Sequence, residues 1–154
     1  MGITFNTTYI IQLLAATFCG FLFGIERETS NKDAGVRTNM LVCIAACLVT
    51  IVSKEGFDAM GADTSRVAAS VLPGIGFLGA GSIFQRGNRV SGLTTSSVVL
   101  MTASVGMAIG AGLYEVACYG TVIVCLIMYG TRIIETRRRK KMKEKTWEDV
   151  DNED

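Results

Sequence analysis

Long stretches of this chain carry no charge, and that constrains the fold more than any other feature. None falls between Arg66 and Arg86, between Arg89 and Glu115, or between Glu115 and Arg132. An uncharged, largely apolar run of about 18 residues or more reads as a bilayer-spanning helix, because only a helix satisfies its own backbone across roughly 30 Å of hydrocarbon. The expected fold is therefore all-α, an integral membrane bundle of five transmembrane helices. The expected spans are Thr8 to Ile25, Asn39 to Ser53, Arg66 to Phe84, Leu93 to Leu113 and Glu115 to Ile134. The second is short, roughly 22 Å at about 1.5 Å per residue. It spans only if Arg37 and Lys54 snorkel outward, and a re-entrant segment is the alternative.

The basic residues set the expected orientation. Arg27, Lys32 and Arg37 fall between the first two spans, Arg86 and Arg89 between the third and fourth, and eight more, from Arg132 to Lys145, at the C-terminal end. Only Lys54 and Arg66 of the 15 basic residues lie elsewhere. The excess of Lys and Arg on cytoplasmic loops places the C-terminus in the cytoplasm and the N-terminus outside, which requires an odd number of spans. The first helix is expected to be retained, since no basic region or cleavage pattern marks it as a removable signal.

Residues 1–135 read as one transmembrane domain and 136–154 as a short tail, basic from Arg137 to Lys145 and then acidic. A tail of this length builds no core. Its basic half is expected to lie against anionic lipid headgroups, and nothing in it points to nucleic acid. All five cysteines fall inside predicted helices, with no CxxC, and there is no histidine. Cys43 and Cys47 share a helix face and read as packing residues. The chain thus lacks a disulfide framework and the commonest metal ligand and general base. An enzyme is not expected, and no cofactor is implied.

Seventeen glycines are spread through the sequence, many inside the spans. The third span holds Gly74, Gly76, Gly79 and Gly81 behind Pro73, and the fourth holds Gly106 and Gly110. Gly20 and Gly24 show the same four-residue spacing as Gly106 and Gly110. Such spacing lets helix backbones approach closely in lipid. Alternatively, a glycine-rich helix kinked by Pro73 exposes backbone carbonyls to a passing solute. The G-x-G-x-x-G spacing at Gly74, Gly76 and Gly79 lacks the strand that a dinucleotide site requires.

Three polar clusters mark span ends on the expected cytoplasmic side: Glu26-Arg27-Glu28, then Arg37-Thr38-Asn39, then Thr94-Thr95-Ser96-Ser97. The last opens a helix and offers free backbone donors, so Glu26, Glu28 or an anionic ligand is expected to dock there. On the other side Asp63 reads as an N-cap ahead of Arg66. Arg37 and Arg66 are placed to pair with Glu26 and Asp63.

Taken together, these motifs resemble the MgtC/SapB family of bacterial inner-membrane proteins. The matching stretches are Gly-Ile-Glu-Arg-Glu at 24–28, Ala-Gly-Val-Arg-Thr at 34–38 and Arg-Val-Ala-Ala at 66–69. Gly-Ile-Gly-Phe-Leu-Gly-Ala-Gly at 74–81, Gly-Leu-Thr-Thr at 92–95 and Ala-Ile-Gly-Ala-Gly-Leu-Tyr at 108–114 follow in family order. The resemblance implies a five-helix membrane domain with its N-terminus outside and a role in growth under magnesium limitation, and for some relatives virulence and interaction with the F-type ATP synthase. The positions it marks are Glu26, Arg27, Gly35, Arg37, Thr38, Asp63, Arg66, Gly74, Gly76, Gly79, Gly81, Gly92, Thr94 and Thr95. Ser70 and Pro73 depart from the family pattern, and the soluble domain that virulence-associated relatives carry after the last helix is not expected here. Two functions remain open. One is a regulator that binds partner membrane proteins, or a second copy of itself, through its glycine faces. The other is a transporter or channel for magnesium or another small solute, although magnesium favours carboxylates with retained waters and none converge at mid-membrane.

Overall fold

The computed structural model describes residues 6–57, 63, 65–87 and 89–151. In chain order the elements are α1 (Thr7–Thr29), α2 (Val36–Phe57), α3 (Ser65–Ala69), α4 (Val71–Gly81), β1 (Phe84–Arg86), β2 (Arg89–Ser91), α5 (Leu93–Ala111) and α6 (Tyr114–Asp151). Among these, α1, α2, α5 and the first 21 residues of α6 are long and apolar enough to cross a membrane. The outward surface agrees with that reading. Phe18, Leu14, Leu41, Phe77 and Leu126 are all exposed, a pattern that lipid accommodates and water does not.

Side-chain and close backbone contacts fix the direction of each long helix. Gly20 faces Asn39 and Gly24 faces Val36, so α1 and α2 are antiparallel. Gly106 faces Cys43 and Gly110 faces Cys47, so α2 and α5 run the same way. The Thr121 hydroxyl lies 3.7 Å from Cys19 Sγ, and Arg132 bonds Thr29, so α6 runs with α1. The chain therefore leaves α2 at one end of the bundle and enters α5 at the other. The α3–α4 stretch makes the return. Counted this way the chain traverses the bundle five times, as expected, although the third traverse is not one long helix.

That third traverse departs from the sequence expectation in three ways. The helix breaks at Ser70 into pieces of five and 11 residues instead of bending at Pro73. Pro73 sits in the first turn of α4, where its missing N–H has no intrahelical partner to lose. The helix also ends at Gly81, not Phe84. Phe84 instead pairs with Ser91 in a two-stranded antiparallel hairpin that turns at Gly87. The second span is longer than expected: α2 is a continuous 22-residue helix, so the re-entrant alternative does not describe it. The last helix runs on to Asp151, so the backbone of the tail continues the fifth span.

The core is built around α2, which lies between α1 and α5. A Cβ added at Gly20 would come within 2.7 Å of the Asn39 carbonyl oxygen, and one at Gly110 within 2.5 Å of the Cys47 carbonyl oxygen. At Gly24 and Gly106 the added atom would strike Val36 Cα and the Cys43 carbonyl oxygen. Hydrocarbon gives no hydrophobic drive for helices to associate, so such close approach supplies the packing and weak Cα–H···O contacts that hold them. Cys43 and Cys47 fill the same seam, fully buried, with Ala16, Phe23, Val105 and Ile109 around them. Polar side chains inside are bonded across it. The Thr102 hydroxyl donates to Asn39 Oδ1 at 2.9 Å, and Gln12 Nε2 donates to the Ile109 carbonyl at 2.9 Å.

Candidate functional site

The site begins with how α1 ends. The helix does not stop at Ile25 but carries Glu26, Arg27 and Glu28 within it. It closes with the Lys32 N–H donating to the Arg27 carbonyl and the Asn31 N–H to the Glu28 carbonyl. Asn31 takes the left-handed conformation (φ 50°) that this ending requires. Because the helix runs on, two consecutive charged residues turn inward: Glu26 and Arg27 are each only 4% exposed.

The hairpin sets the opposite wall. Gly92 joins β2 to α5 with φ 92° and lies so close to the Ser82 carbonyl that no side chain fits there. This junction aims the first turn of α5 at the end of α1. Arg27 Nη2 donates to Thr95 Oγ1 at 2.8 Å, while Ser30 Oγ donates to Glu26 Oε1 at 2.8 Å. From the third side Arg132 of α6 donates to both the hydroxyl and the carbonyl oxygen of Thr29, at 3.0 and 3.2 Å. Together these elements enclose a cavity of about 920 Å³. Its lining combines polar groups, among them the buried Glu26, Arg27 and Thr95 with Lys32, Thr94 and Arg132, and an apolar side formed by Val98, Met101, Ile127 and Met128, of which Met101 and Ile127 are exposed at the outer surface.

Within this frame, the residues expected to matter separate into distinct places. Glu26, Arg27, Thr94 and Thr95 meet at the cavity. Asn39 is fully buried and donates through Nδ2 to the Ala34 and Gly35 carbonyls, holding the start of α2. Arg37 and Thr38 lie on the exposed side of α2. Asp63 and Arg66 lie beyond the far end of α2. There the Asp63 carboxylate accepts from the Ser65 N–H at 3.0 Å and the Ser65 hydroxyl at 2.6 Å. Those two bonds hold the Asp63 carboxyl below its ordinary value.

Several expected contacts are replaced by others. Among the described residues the one ion pair is Lys54 with Glu55, at 4.0 Å, so Arg37 does not pair with Glu26, nor Arg66 with Asp63. Glu26 turns to Ser30 instead, and Asp63 to Ser65. Glu28 does not dock at α5: its Oε2 accepts from the Val36 N–H at 3.3 Å and so serves the start of α2. It is Arg27, not a carboxylate, that reaches Thr95.

The third-span glycines also separate. Gly79 is buried against Ser96, whereas an added Cβ at Gly74, Gly76 or Gly81 would meet nothing within 4 Å. Ile75 and Gly79 form the inward face of α4, and those three glycines lie off it. The sequence reading missed Arg132 and Lys32 as cavity residues. Arg132 was grouped with the basic tail, although it stands a full turn ahead of Arg137, a spacing that marks it apart.

A helical bundle with an apolar exterior and its buried charges, Glu26 and Arg27, gathered at one end is an integral membrane protein. Residues 13–137 match the MgtC family, and the chain belongs to that family. It is 45% identical over 127 residues to the Escherichia coli K12 protein named "Putative magnesium transporter YhiD", covering 78% of this chain and 59% of that protein. It is 39% identical over 117 residues to Protein MgtC of Salmonella typhimurium strain 14028s, covering 75% and 49%. Protein SapB of Bacillus subtilis strain 168 is 37% identical over 115 residues, covering 70% and 50%. The chain thus spans between about half and three-fifths of the length of these curated relatives. No solved structure matches it.

Proposed function

We propose that this chain is a non-enzymatic protein of the bacterial inner membrane that serves magnesium homeostasis by binding and regulating other membrane proteins. The observation that carries the reading is the seam around α2. Glycines of α1 and α5 press directly on the α2 backbone through the middle of the bundle. A path for a hydrated ion along this seam would have to part those backbones. By contrast α4 turns an unoccupied surface outward, with Phe77 81% exposed beside Gly74, Gly76 and Gly81. In lipid such a surface lets another helix come close, whether from a second copy or from a partner such as the F-type ATP synthase implied by the family resemblance. The cavity end, which gathers Arg27, Lys32, Arg37 and Arg132, faces the cytoplasm in this reading.

A specific observation favours the alternative of magnesium transport. Glu26 is a buried carboxylate at a cavity wide enough for a partly hydrated ion, and magnesium typically uses one or two carboxylates and keeps several waters. Magnesium flux into liposomes containing the purified chain separates the two. The regulatory reading expects no flux above empty liposomes and a specific membrane complex in co-purification. Flux that Glu26→Gln abolishes would overturn it.

A further inference from the structure

Two charged side chains in the cavity each lack one partner. Glu26 Oε2 and Arg27 Nε are buried and have no hydrogen-bond partner in the protein. They are consecutive on α1 and do not form an ion pair with each other. One is an acceptor with negative charge and the other a donor with positive charge. Burying such atoms unpaired is costly, so each calls for a group from outside the chain. The first turn of α5 adds a third demand. Its N-cap Gly92 supplies no side-chain bond, and Gly92, Leu93, Thr94 and Thr95 all line the cavity. Free N–H groups at a helix start, backed by the helix dipole, favour an anion.

We propose that this cavity binds the headgroup of a phospholipid whose phosphate neighbours an O–H or N–H donor. The phosphate takes Arg27 Nε and the N-terminus of α5, with Lys32 and Arg132 adding positive charge at the rim. The hydroxyl or ammonium beside the phosphate donates to Glu26 Oε2. Phosphatidylethanolamine and phosphatidylglycerol meet both demands. Phosphatidylcholine meets only the first, because its quaternary nitrogen carries no proton to donate. Free phosphate or glycerol phosphate shares the polar chemistry but leaves the apolar wall of Val98, Met101, Ile127 and Met128, which runs out to the exposed surface at Met101 and Ile127, uncovered. That wall assigns the site to a lipid with its acyl chains between α5 and α6. The assignment does not depend on whether the chain regulates partners or passes ions.

Native mass spectrometry of the full chain, stripped of lipid in detergent, tests the assignment. Phosphatidylethanolamine and phosphatidylglycerol are expected to be retained roughly tenfold more strongly than phosphatidylcholine, the step that one charge-assisted hydrogen bond provides. Arg27→Gln is expected to weaken retention of all three about tenfold. Glu26→Leu is expected to erase the preference over phosphatidylcholine. Ser97→Trp places bulk at an exposed position on the cavity wall and is expected to block retention without touching either buried charge. Equal retention of the three lipids by the unmodified chain would overturn the proposal. Retention untouched by Arg27→Gln and Ser97→Trp would also overturn it. Displacement of bound lipid by millimolar inorganic phosphate or glycerol phosphate would assign the cavity to a soluble anion instead.

Discussion

Replacing Gly110 with alanine tests the seam on which the fold is built. An added Cβ would stand 2.5 Å from the Cys47 carbonyl oxygen and 2.8 Å from Thr50 Cβ. A carbon and a carbonyl oxygen ordinarily meet no closer than about 3.3 Å, so α2 and α5 must part by roughly 0.8 Å or more. Neither neighbour can swing aside, because one is backbone and the other is a Cβ. Overpacking of this kind costs about 1–3 kcal/mol. Alanine returns up to about 1 kcal/mol through helix propensity, and because the clash is with fixed atoms its cost belongs at the upper end of that range, leaving a net loss of roughly 2 kcal/mol. Gly76→Ala is the matched control, since nothing lies within 4 Å of its added Cβ, and it is expected to be neutral or slightly stabilising. Unfolding of the two purified variants in mixed micelles against increasing denaturing detergent measures the difference. Equal stability of Gly110→Ala and the unmodified chain would refute the close-packed seam. A larger loss in Gly76→Ala than in Gly110→Ala would mean that α4 is packed in an assembly more tightly than α5 is packed in the bundle.

Three further outcomes follow from named contacts. Thr102→Val leaves Asn39 Oδ1 without its donor inside the core and is expected to destabilise by about 1–3 kcal/mol in the same unfolding assay; a change within error would refute the bond's role. Gly79→Leu is expected to disorder the junction of α4 with α5 and lower thermal stability in detergent while Gly76→Leu does not, and equal midpoints for the two variants would refute the packing of Gly79 on Ser96. The Asp63 carboxyl is held below its ordinary value of 3.8 by Ser65, so its capping contribution is present above that value and fades as pH falls through the lower folded value. Ser65→Ala is expected to raise the Asp63 midpoint toward 3.8 in an NMR titration, and an unmoved midpoint would contradict the cap.

The reach of the sequence differed from one residue to the next. Glu26, Arg27, Thr94 and Thr95 were legible as a polar constellation because they punctuate apolar runs, and the structure gathers all four at one cavity. Arg37 and Thr38 punctuate a run in the same way, yet they face outward, because a helix rotated about its axis keeps its length and composition. Arg132 was hidden by its neighbours: a basic residue ahead of a basic tail looks like part of it until α6 is seen to lie along α1. The break at Ser70 was missed because Pro73 drew attention to itself, although in a first helical turn proline is no breaker.

The sequence by itself determined that the chain belongs in a membrane, where its helices begin and end to within a turn or so in most cases, and that its basic residues favour one end. Those properties depend on the cost of placing each residue type in hydrocarbon or water, which is additive along the chain and needs no partner. Only the tertiary structure decided which glycines press on a neighbouring backbone, which charged residues turn inward and which helix supplies Arg132. Those outcomes depend on the rotation and depth of each helix against the others, and in a bundle apolar on nearly every side no hydrophobic stripe announces that rotation in advance.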